Sequence, residues 1–292
     1  MHSILRNKKT ILCFLLPALL VYLLSVIVPI IWSGYYSLFD WNGFSDKEFI
    51  GFANFTKMLG DTELWDSVIN TLVYTFFQIV LQVGGGLVLA VLLTKLPFFR
   101  RGFQTLYYLP VIVSTVALCQ MFKKIFAVTP VGLFNELLSK INPDWIRLEW
   151  LSNPDTSLGM VIFTSGYKNM PIYMLIFFSA LLTVPHSLEE AARIDGANSW
   201  QIFWRINLPH IRPSIVANIL LVLNGSLREF DIPKLLTSGG PMQSSQTQAL
   251  YMYKQAFTSM QYGYGSAIAM FIVIEALIFA VLFRWFSRQR GD

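Results

Sequence analysis

The stretch PHSLEEAARIDGANSWQIFWRINLP, residues 185–209, is a polar helical pair set between two long apolar runs. Pro185 opens it, and Ser187 followed three residues later by Glu190 has the spacing of a capping box that starts a short helix. Gly196 marks where that helix ends. Asn198 or Ser199 can cap a second helix, along which Trp200, Phe203, Trp204 and Ile206 gather on one side, and Pro209 is expected to stop it. A capped, aromatic-faced helix pair between apolar runs reads as a docking knob on a membrane protein.

Composition requires the membrane. Of 292 residues, 54% are hydrophobic and 13% charged, with a mean hydropathy of +0.53. One soluble core cannot bury that much apolar surface. Runs near 11–32, 68–93, 106–127, 158–182, 214–236 and 265–283 are each long enough to cross roughly 30 Å of hydrocarbon. An all-α integral membrane protein with about six spans follows. The run 11–32 is too long for a signal peptide's apolar stretch and lacks a small-x-small cleavage site, so it reads as a retained anchor.

The net charge of +5 is a topology signal rather than a nucleic-acid footprint, because the basic residues flank apolar runs. One set of segments holds Arg6, Lys8, Lys9, then Lys95, Arg100, Arg101, then Arg193, Arg205, Arg212, and finally Arg284, Arg288, Arg290. The opposite set holds most of the acids, among them Asp40, Asp46, Glu48, Asp61, Glu63, Asp66, Glu136, Asp144, Glu149 and Asp155. Both termini and the 185–212 loop are therefore expected in the cytoplasm. The segments 39–65 and 128–155, rich in Trp, Phe and Asn, suit short helices in the outer interface. Both cysteines, Cys13 and Cys119, lie in apolar runs, where packing as small hydrophobes is expected rather than a disulfide or metal site.

The spacing E-A-A-x-x-D-G-A-x8-I-x-L-P, carried here by Glu190, Ala191, Ala192, Asp195, Gly196, Ala197, Ile206, Leu208 and Pro209, resembles the cytoplasmic signature of bacterial ABC importer permeases. Looser segments resemble the carbohydrate branch, related to the maltose-transporter and multiple-sugar permeases. They are Phe52-Ala53-Asn54-Phe55, Asn70-Thr71, Phe99-Arg100-Arg101 with Pro110, Phe230-Asp231, Leu236 to Pro241, Thr247, Tyr253, Ala256-Phe257 and Gly263-Tyr264-Gly265. The resemblance implies one permease domain over 1–292, with a core at about 66–286, an extra N-terminal span at about 11–32 and a coupling loop at 185–212. It also implies a bacterial inner membrane, a second homologous permease subunit, two cytoplasmic ABC ATPase subunits and an extracellular solute-binding protein. In that family the loop seats in a cleft of the ATPase and converts nucleotide-driven closure into alternating access, and Glu190 and Gly196 carry over directly.

The residues agree that ATP is handled elsewhere. No Gly-Lys pair occurs in the chain, so there is no phosphate-cradling loop; ATP and magnesium are expected on partner subunits and no cofactor on this one. His186 and His210 flank the loop without a converging carboxylate or cysteine, and no catalytic residue set is expected. Polar residues in the spans are costly and usually face protein or water. Gln78 and Gln82 share a helix face, and Lys168 and Glu275 fall at similar depth, where an ion pair is possible. With Tyr167, Asn169, Asn224, Arg228, Glu229 and Asp231 they form a candidate path on which a hydroxyl-rich solute exchanges hydrogen bonds. The structural alternative is that Lys168 satisfies Glu275 and that Arg228 satisfies Glu229 or Asp231. The mixture of signs favours a neutral solute over phosphate, glycerol phosphate or peptide. A proton-driven carrier working through Glu275, and a membrane enzyme using Lys168, Glu275 and Arg228, remain as other classes; neither needs the docking knob.

Overall fold

A computed structural model describes residues 8–96 and 100–288, with side chains described for 12, 14–96 and 100–283. The basic residues Arg6 and Arg290, and the side chains of Lys8, Lys9, Cys13, Arg284 and Arg288, lie outside the described set. In chain order the elements are α1 (Lys8–Tyr22), a π-helical turn (Leu23–Ile27), α2 (Val28–Tyr36), β1 (Phe39–Asp40), β2 (Glu48–Phe49), α3 (Ala53–Leu59) and α4 (Thr62–Gln78). A second π-helical segment (Ile79–Gly85) leads to α5 (Gly86–Thr94), α6 (Arg100–Ile112), α7 (Thr115–Ile125), α8 (Leu133–Ser139), a 3₁₀ turn (Pro143–Arg147) and α9 (Pro154–Leu181). Then follow α10 (His186–Ile194), α11 (Ser199–Ile202), a π-helical turn (Phe203–Asn207), α12 (Leu208–His210), α13 (Arg212–Ser226), α14 (Asp231–Leu236), α15 (Gln248–Tyr253), a π-helical turn (Lys254–Thr258) and α16 (Tyr262–Arg288).

The fold is helical and membrane-spanning, as the apolar runs indicate. Three helical stretches, Phe14–Tyr36, Thr62–Thr94 and Tyr262–Phe283, are long and apolar enough to cross a bilayer alone; three more qualify only as bent pairs. The apolar run expected to be one helix over 106–127 is broken between α6 and α7 by a 95° bend. Pro110 removes a backbone donor there, and the β-branched Val111, Ile112 and Val113 weaken the helix that follows, so Ser114 adopts an extended ψ of 136°. The run 214–236 is not one helix either. α13 stops at Ser226, and Pro233, whose ring would strike the carbonyl of Glu229 in a continuous helix, sits in the first turn of a new one. Of the two interfacial segments, 128–155 forms short helices, whereas 39–65 contains a two-stranded antiparallel hairpin besides α3.

Two compact units divide the chain, 1–61 with 252–274, and 62–251 with 275–292. In the first, Asn54 is buried and its amide donates to Ser37 O at 2.8 Å and Phe39 O at 3.0 Å. Gly263 N donates to Trp41 O at 3.1 Å. The resembling segments around Asn54 and Gly263 thus meet on the same chain turn. Tyr264 donates to Asp61, while Lys57 lies 4.1 Å from the Tyr264 ring centroid.

In the second unit, α5 and the π-helical segment before it lie along α9. Val83, Ala90, Leu93, Met174, Phe177, Phe178 and Leu181 form one core with Val184, Ile211 and Val222. A second core gathers Tyr74, Leu118, Cys119, Phe122, Phe126, Val161 and Ile162. Cys119 is a buried free thiol, as its apolar surroundings suggest. α9 runs unbroken through Pro171 for 28 residues, about 42 Å. The approach of α5 to α9 is set by Gly86, where an added Cβ would stand 3.0 Å from Met174 N and 3.1 Å from Tyr173 Cβ.

Gly86→Leu should therefore force the two helices apart and cost about 1–3 kcal/mol. Gly84→Ala, with nothing within 4 Å of the new Cβ, should be tolerated. Thermal unfolding of the detergent-solubilised chain distinguishes the two; equal midpoints would refute the assignment of this contact.

Candidate functional site

Four residues after α9 ends, the chain enters the 185–212 loop. Pro185, with φ −63° and ψ 125°, is the N-cap of α10 and makes no side-chain capping bond. The expected Ser187–Glu190 capping box is not formed, because the helix has already begun at His186 and Ser187 lies inside it. The end of α10 is as the sequence indicates. Gly196 takes φ +83°, its N–H donates to Arg193 O at 3.1 Å, and Ala197 N–H donates to Ala192 O at 2.9 Å. This is a Schellman stop, which needs a left-handed residue at the position of Gly196. Ala192, Gly196 and Ala197 thus shape the turn itself.

Asn198, not Ser199, caps the next helix. Its side-chain oxygen accepts from Gln201 N, and Gln201 Oε1 accepts from Asn198 N, both at 2.9 Å. This reciprocal pair satisfies two otherwise unpaired backbone donors. Pro209 does not end the helix: preceded by the π-helical turn, it sits early in α12, and the break comes two residues on at Ile211. Trp200 and Trp204 meet edge to face at 5.5 Å, and Phe203 packs against both.

Burial divides the pair into a root and a face. Ile202 and Ile211 are buried, and Ile206 packs on the core formed with α5, α9 and α13. On the outside, Ile194 is 87% exposed and Trp200 70%; Trp204, Glu190, Ala191, Asp195 and Pro209 are also exposed, while Leu208 is half-buried. Large apolar side chains left in water beside carboxylates suit a protein partner.

The polar residues of the spans behave differently. Gln78 is fully buried; its amide donates to Ile162 O at 2.9 Å, and its oxygen accepts from Gln82 at 2.6 Å. The Tyr74 and Ser165 hydroxyls share a 2.6 Å hydrogen bond, and Asn169 donates to Ser165 at 3.3 Å. These bonds tie α4 and the π-helical segment after it to α9.

Among the described residues, neither suggested ion pair is formed. Lys168 donates to the Thr115 hydroxyl, while Glu275 accepts from Gln248 at 2.7 Å. Equal depth in the bilayer did not place the two groups on facing sides of their helices. Arg228, exposed, donates to Asn224 O at 3.1 Å rather than to Glu229 or Asp231. Glu229 caps α14 by accepting from Ile232 N at 3.1 Å, and Asp231 is exposed in that helix's first turn. Asn224 donates to Leu220 O within its own helix, and the Tyr167 ring meets Phe122 at 5.5 Å. The candidate path residues thus split into a buried network and scattered groups outside it.

Asn218 was not legible as special. It is fully buried on α13 and neither amide atom has a partner among the described residues; Thr164 Oγ1 and Gln248 Oε1 share that condition. Nothing in the sequence separates Asn218 from Asn224, six residues on.

The sequence model of the family described as "Binding-protein-dependent transport system inner membrane component" matches residues 82–291. The chain is 35% identical to the probable ABC transporter permease protein YurN of Bacillus subtilis over 95% of both chains. It is 32% identical to the probable starch degradation products transport system permease protein AmyD of Thermoanaerobacterium thermosulfurigenes, over 90% of this chain and 89% of that one. A solved chain from a bacterial ABC transporter involved in import of the acidic polysaccharide alginate superposes with a TM-score of 0.84, at 22% identity, covering 100% of this chain and 99% of that one.

Gln78→Leu should destabilise the chain by about 1–3 kcal/mol, because it strands the buried Gln82 amide. The double replacement Gln78→Leu with Gln82→Leu should cost less than Gln78→Leu alone. Additive losses in thermal unfolding midpoints would show that the two glutamines are not coupled.

Proposed function

The chain belongs to the family of binding-protein-dependent transport system inner membrane components, and we propose that it is the membrane subunit through which an ATP-driven importer passes a sugar or oligosaccharide. The name of the starch-product permease relative, 32% identical, supports the solute class. ATP is hydrolysed on two separate cytoplasmic subunits, a second homologous permease completes the translocation unit, and an extracellular binding protein delivers the solute. Both termini and the 185–212 loop face the cytoplasm of a bacterial cell, supported by the basic residues flanking the spans on that side.

The carrying observation is the exposed face of the loop on a buried root. Ile194, Trp200 and Trp204 seat in the ATPase cleft, and Glu190, Ala191, Ala192, Asp195, Gly196, Ala197, Leu208 and Pro209 fix the shape and register of that contact. Val184 and Ile211, at the two ends of the loop, share one core with Phe177, Phe178 and Leu181 of α9 and Val222 of α13. A displacement of the face therefore moves α9 and α13 together, since close-packed interiors transmit rather than absorb strain. Lys168, Asn169, Tyr167, Asn224 and Arg228 remain the path residues able to meet solute, with Glu229, Asp231 and Glu275 shaping their surroundings; Gln78 and Gln82 hold the helices around them.

Glu190→Ala and Gly196→Asp test this. Nothing lies within 4 Å of a Cβ at Gly196, but its φ of +83° strains any L side chain, so an aspartate there distorts the turn as well as adding charge to the docking face. Each variant should insert and assemble, yet lower ATP-dependent sugar uptake in proteoliposomes by about tenfold or more, equivalent to roughly 1.4 kcal/mol of lost coupling. Undiminished uptake by either assembled variant overturns the reading.

A further inference from the structure

Three Asn or Asp residues directly precede a glycine in this chain: Asn42 before Gly43, Asp195 before Gly196 and Asn224 before Gly225. Such pairs share a latent reaction, because the glycine nitrogen can attack the side-chain carbonyl carbon one residue back and close a five-membered ring. Glycine has no Cβ to block the approach. The structure separates the three by whether that nitrogen and that side chain are free.

At Asp195 and Asn224 the groups are engaged. Gly196 N–H donates to Arg193 O at 3.1 Å in the turn that ends α10. Gly225 lies inside α13, where its N–H belongs to the helical ladder, and the Asn224 amide donates to Leu220 O at 3.0 Å. Attack at either site must first break the bond that holds the glycine nitrogen.

Asn42 is exposed, in the turn between β1 and β2. Neither Gly43 N nor Asn42 Nδ2 has a hydrogen-bond partner among the described residues. Asn42 Oδ1, by contrast, accepts from Phe44 N, Ser45 N and Ser45 Oγ, each at 2.9 Å. Bonds to the two peptide nitrogens beyond Gly43 fold the side chain forward along the turn, which carries Cγ to the side of the Gly43 nitrogen. The same three donors draw electron density from Cγ, and they already stand where negative charge develops on Oδ1 during addition.

We propose that Asn42–Gly43 is a self-modifying site at which the folded chain deamidates. The Gly43 nitrogen, having given its proton to solvent base, bonds to Asn42 Cγ. The Cγ–Nδ2 bond breaks, and Nδ2 takes up a proton and leaves as ammonia, at no cost in protein hydrogen bonds. Water then opens the cyclic imide at one carbonyl or the other, giving aspartate at position 42 or its isomer linked through the side-chain carboxyl. One water enters and one ammonia leaves, with no oxidant or reductant. The isomer lengthens the backbone of the turn by one methylene. Both products add a carboxylate to the lining of a cavity that Asn42 shares with Trp32, Tyr36, Trp41, Phe257 and Tyr262, and that no charged residue lines. The reaction needs neither a partner subunit nor a solute, so it and the transport reading can fail separately.

The full chain in detergent, held in mildly alkaline buffer and sampled over time by peptide mass spectrometry, tests this. Labelled methyl transfer by an isoaspartyl methyltransferase reports the isomer independently. Conversion at Asn42 should outrun conversion at Asn224 by about tenfold or more. It should proceed in the folded chain at least as fast as in a synthetic peptide of residues 38–48, and faster as pH rises, because the nucleophile is the deprotonated nitrogen. Ser45→Ala removes one donor to Oδ1 and should slow the folded chain about two- to fivefold, with its unfolding midpoint unchanged because Ser45 is exposed. Conversion at Asn42 no faster than at Asn224, a folded chain several-fold slower than the peptide, or a rate indifferent to Ser45→Ala would each overturn the proposal.

Discussion

Hydrocarbon offers no hydrogen bonds, so every polar side chain on a membrane span must find its partner inside the protein or at a water-filled surface. In this chain that constraint is met most tightly between α4 and α9. The relay from Gln82 through Gln78 to Ile162 O, and the Tyr74–Ser165 bond with Asn169 behind it, join the two helices by hydrogen bonds. Below the relay, Gly86 lets α5 press against the α9 backbone. The fourth span is thereby held as a single rod, and the other elements of its unit are arranged around it.

That rod leads directly to the 185–212 loop. α9 stays helical across Pro171, whereas the third and fifth spans are interrupted at Ser114 and after Ser226. An unbroken helix that ends at the loop is a sensible route for force. The loop's two ends, Val184 and Ile211, are packed into the core that contains the last turns of α9. Its aromatic face is kept out of that core by the Schellman stop at Gly196 and the reciprocal cap at Asn198. The turn between the two short helices is therefore built from local backbone chemistry, and its geometry does not depend on a partner being present.

Local chemistry is also what the sequence displayed most clearly. The stop at Gly196, the cap at Asn198, the clustering of Trp200, Phe203 and Trp204, and the number of apolar runs were all readable, because each depends on residues a few positions apart. The failures share the opposite property. Ser187 and Glu190 have capping-box spacing, but Pro185 had already set the start of the helix two residues earlier. The break in the third span lies in a largely apolar stretch that length alone reads as one helix, and a count by length runs the fifth span straight through Arg228, Glu229 and Asp231, where the chain in fact leaves its helix. Lys168 and Glu275 were matched by depth, which counting along a helix supplies; their partners, Thr115 and Gln248, were decided by rotation about the helix axis, which it does not.

The same distinction bears on which polar residues can act on a solute. An amide already bonded on both sides, as at Gln78, must break a protein hydrogen bond before it can make one to a passing hydroxyl, so it contributes scaffold. Groups with unspent capacity differ. Asn218, Thr164 and Gln248 each bury at least one polar atom with no partner among the described residues, and such an atom costs about 1–3 kcal/mol relative to a satisfied one. Any rearrangement of α9, α13 or α15 that gives these atoms partners is favoured by that amount, and one that leaves them stranded gains nothing. In a chain whose task is to pass between arrangements, unsatisfied groups on helices such as α9 and α13, which flank the 185–212 loop, lower the cost of leaving the present one.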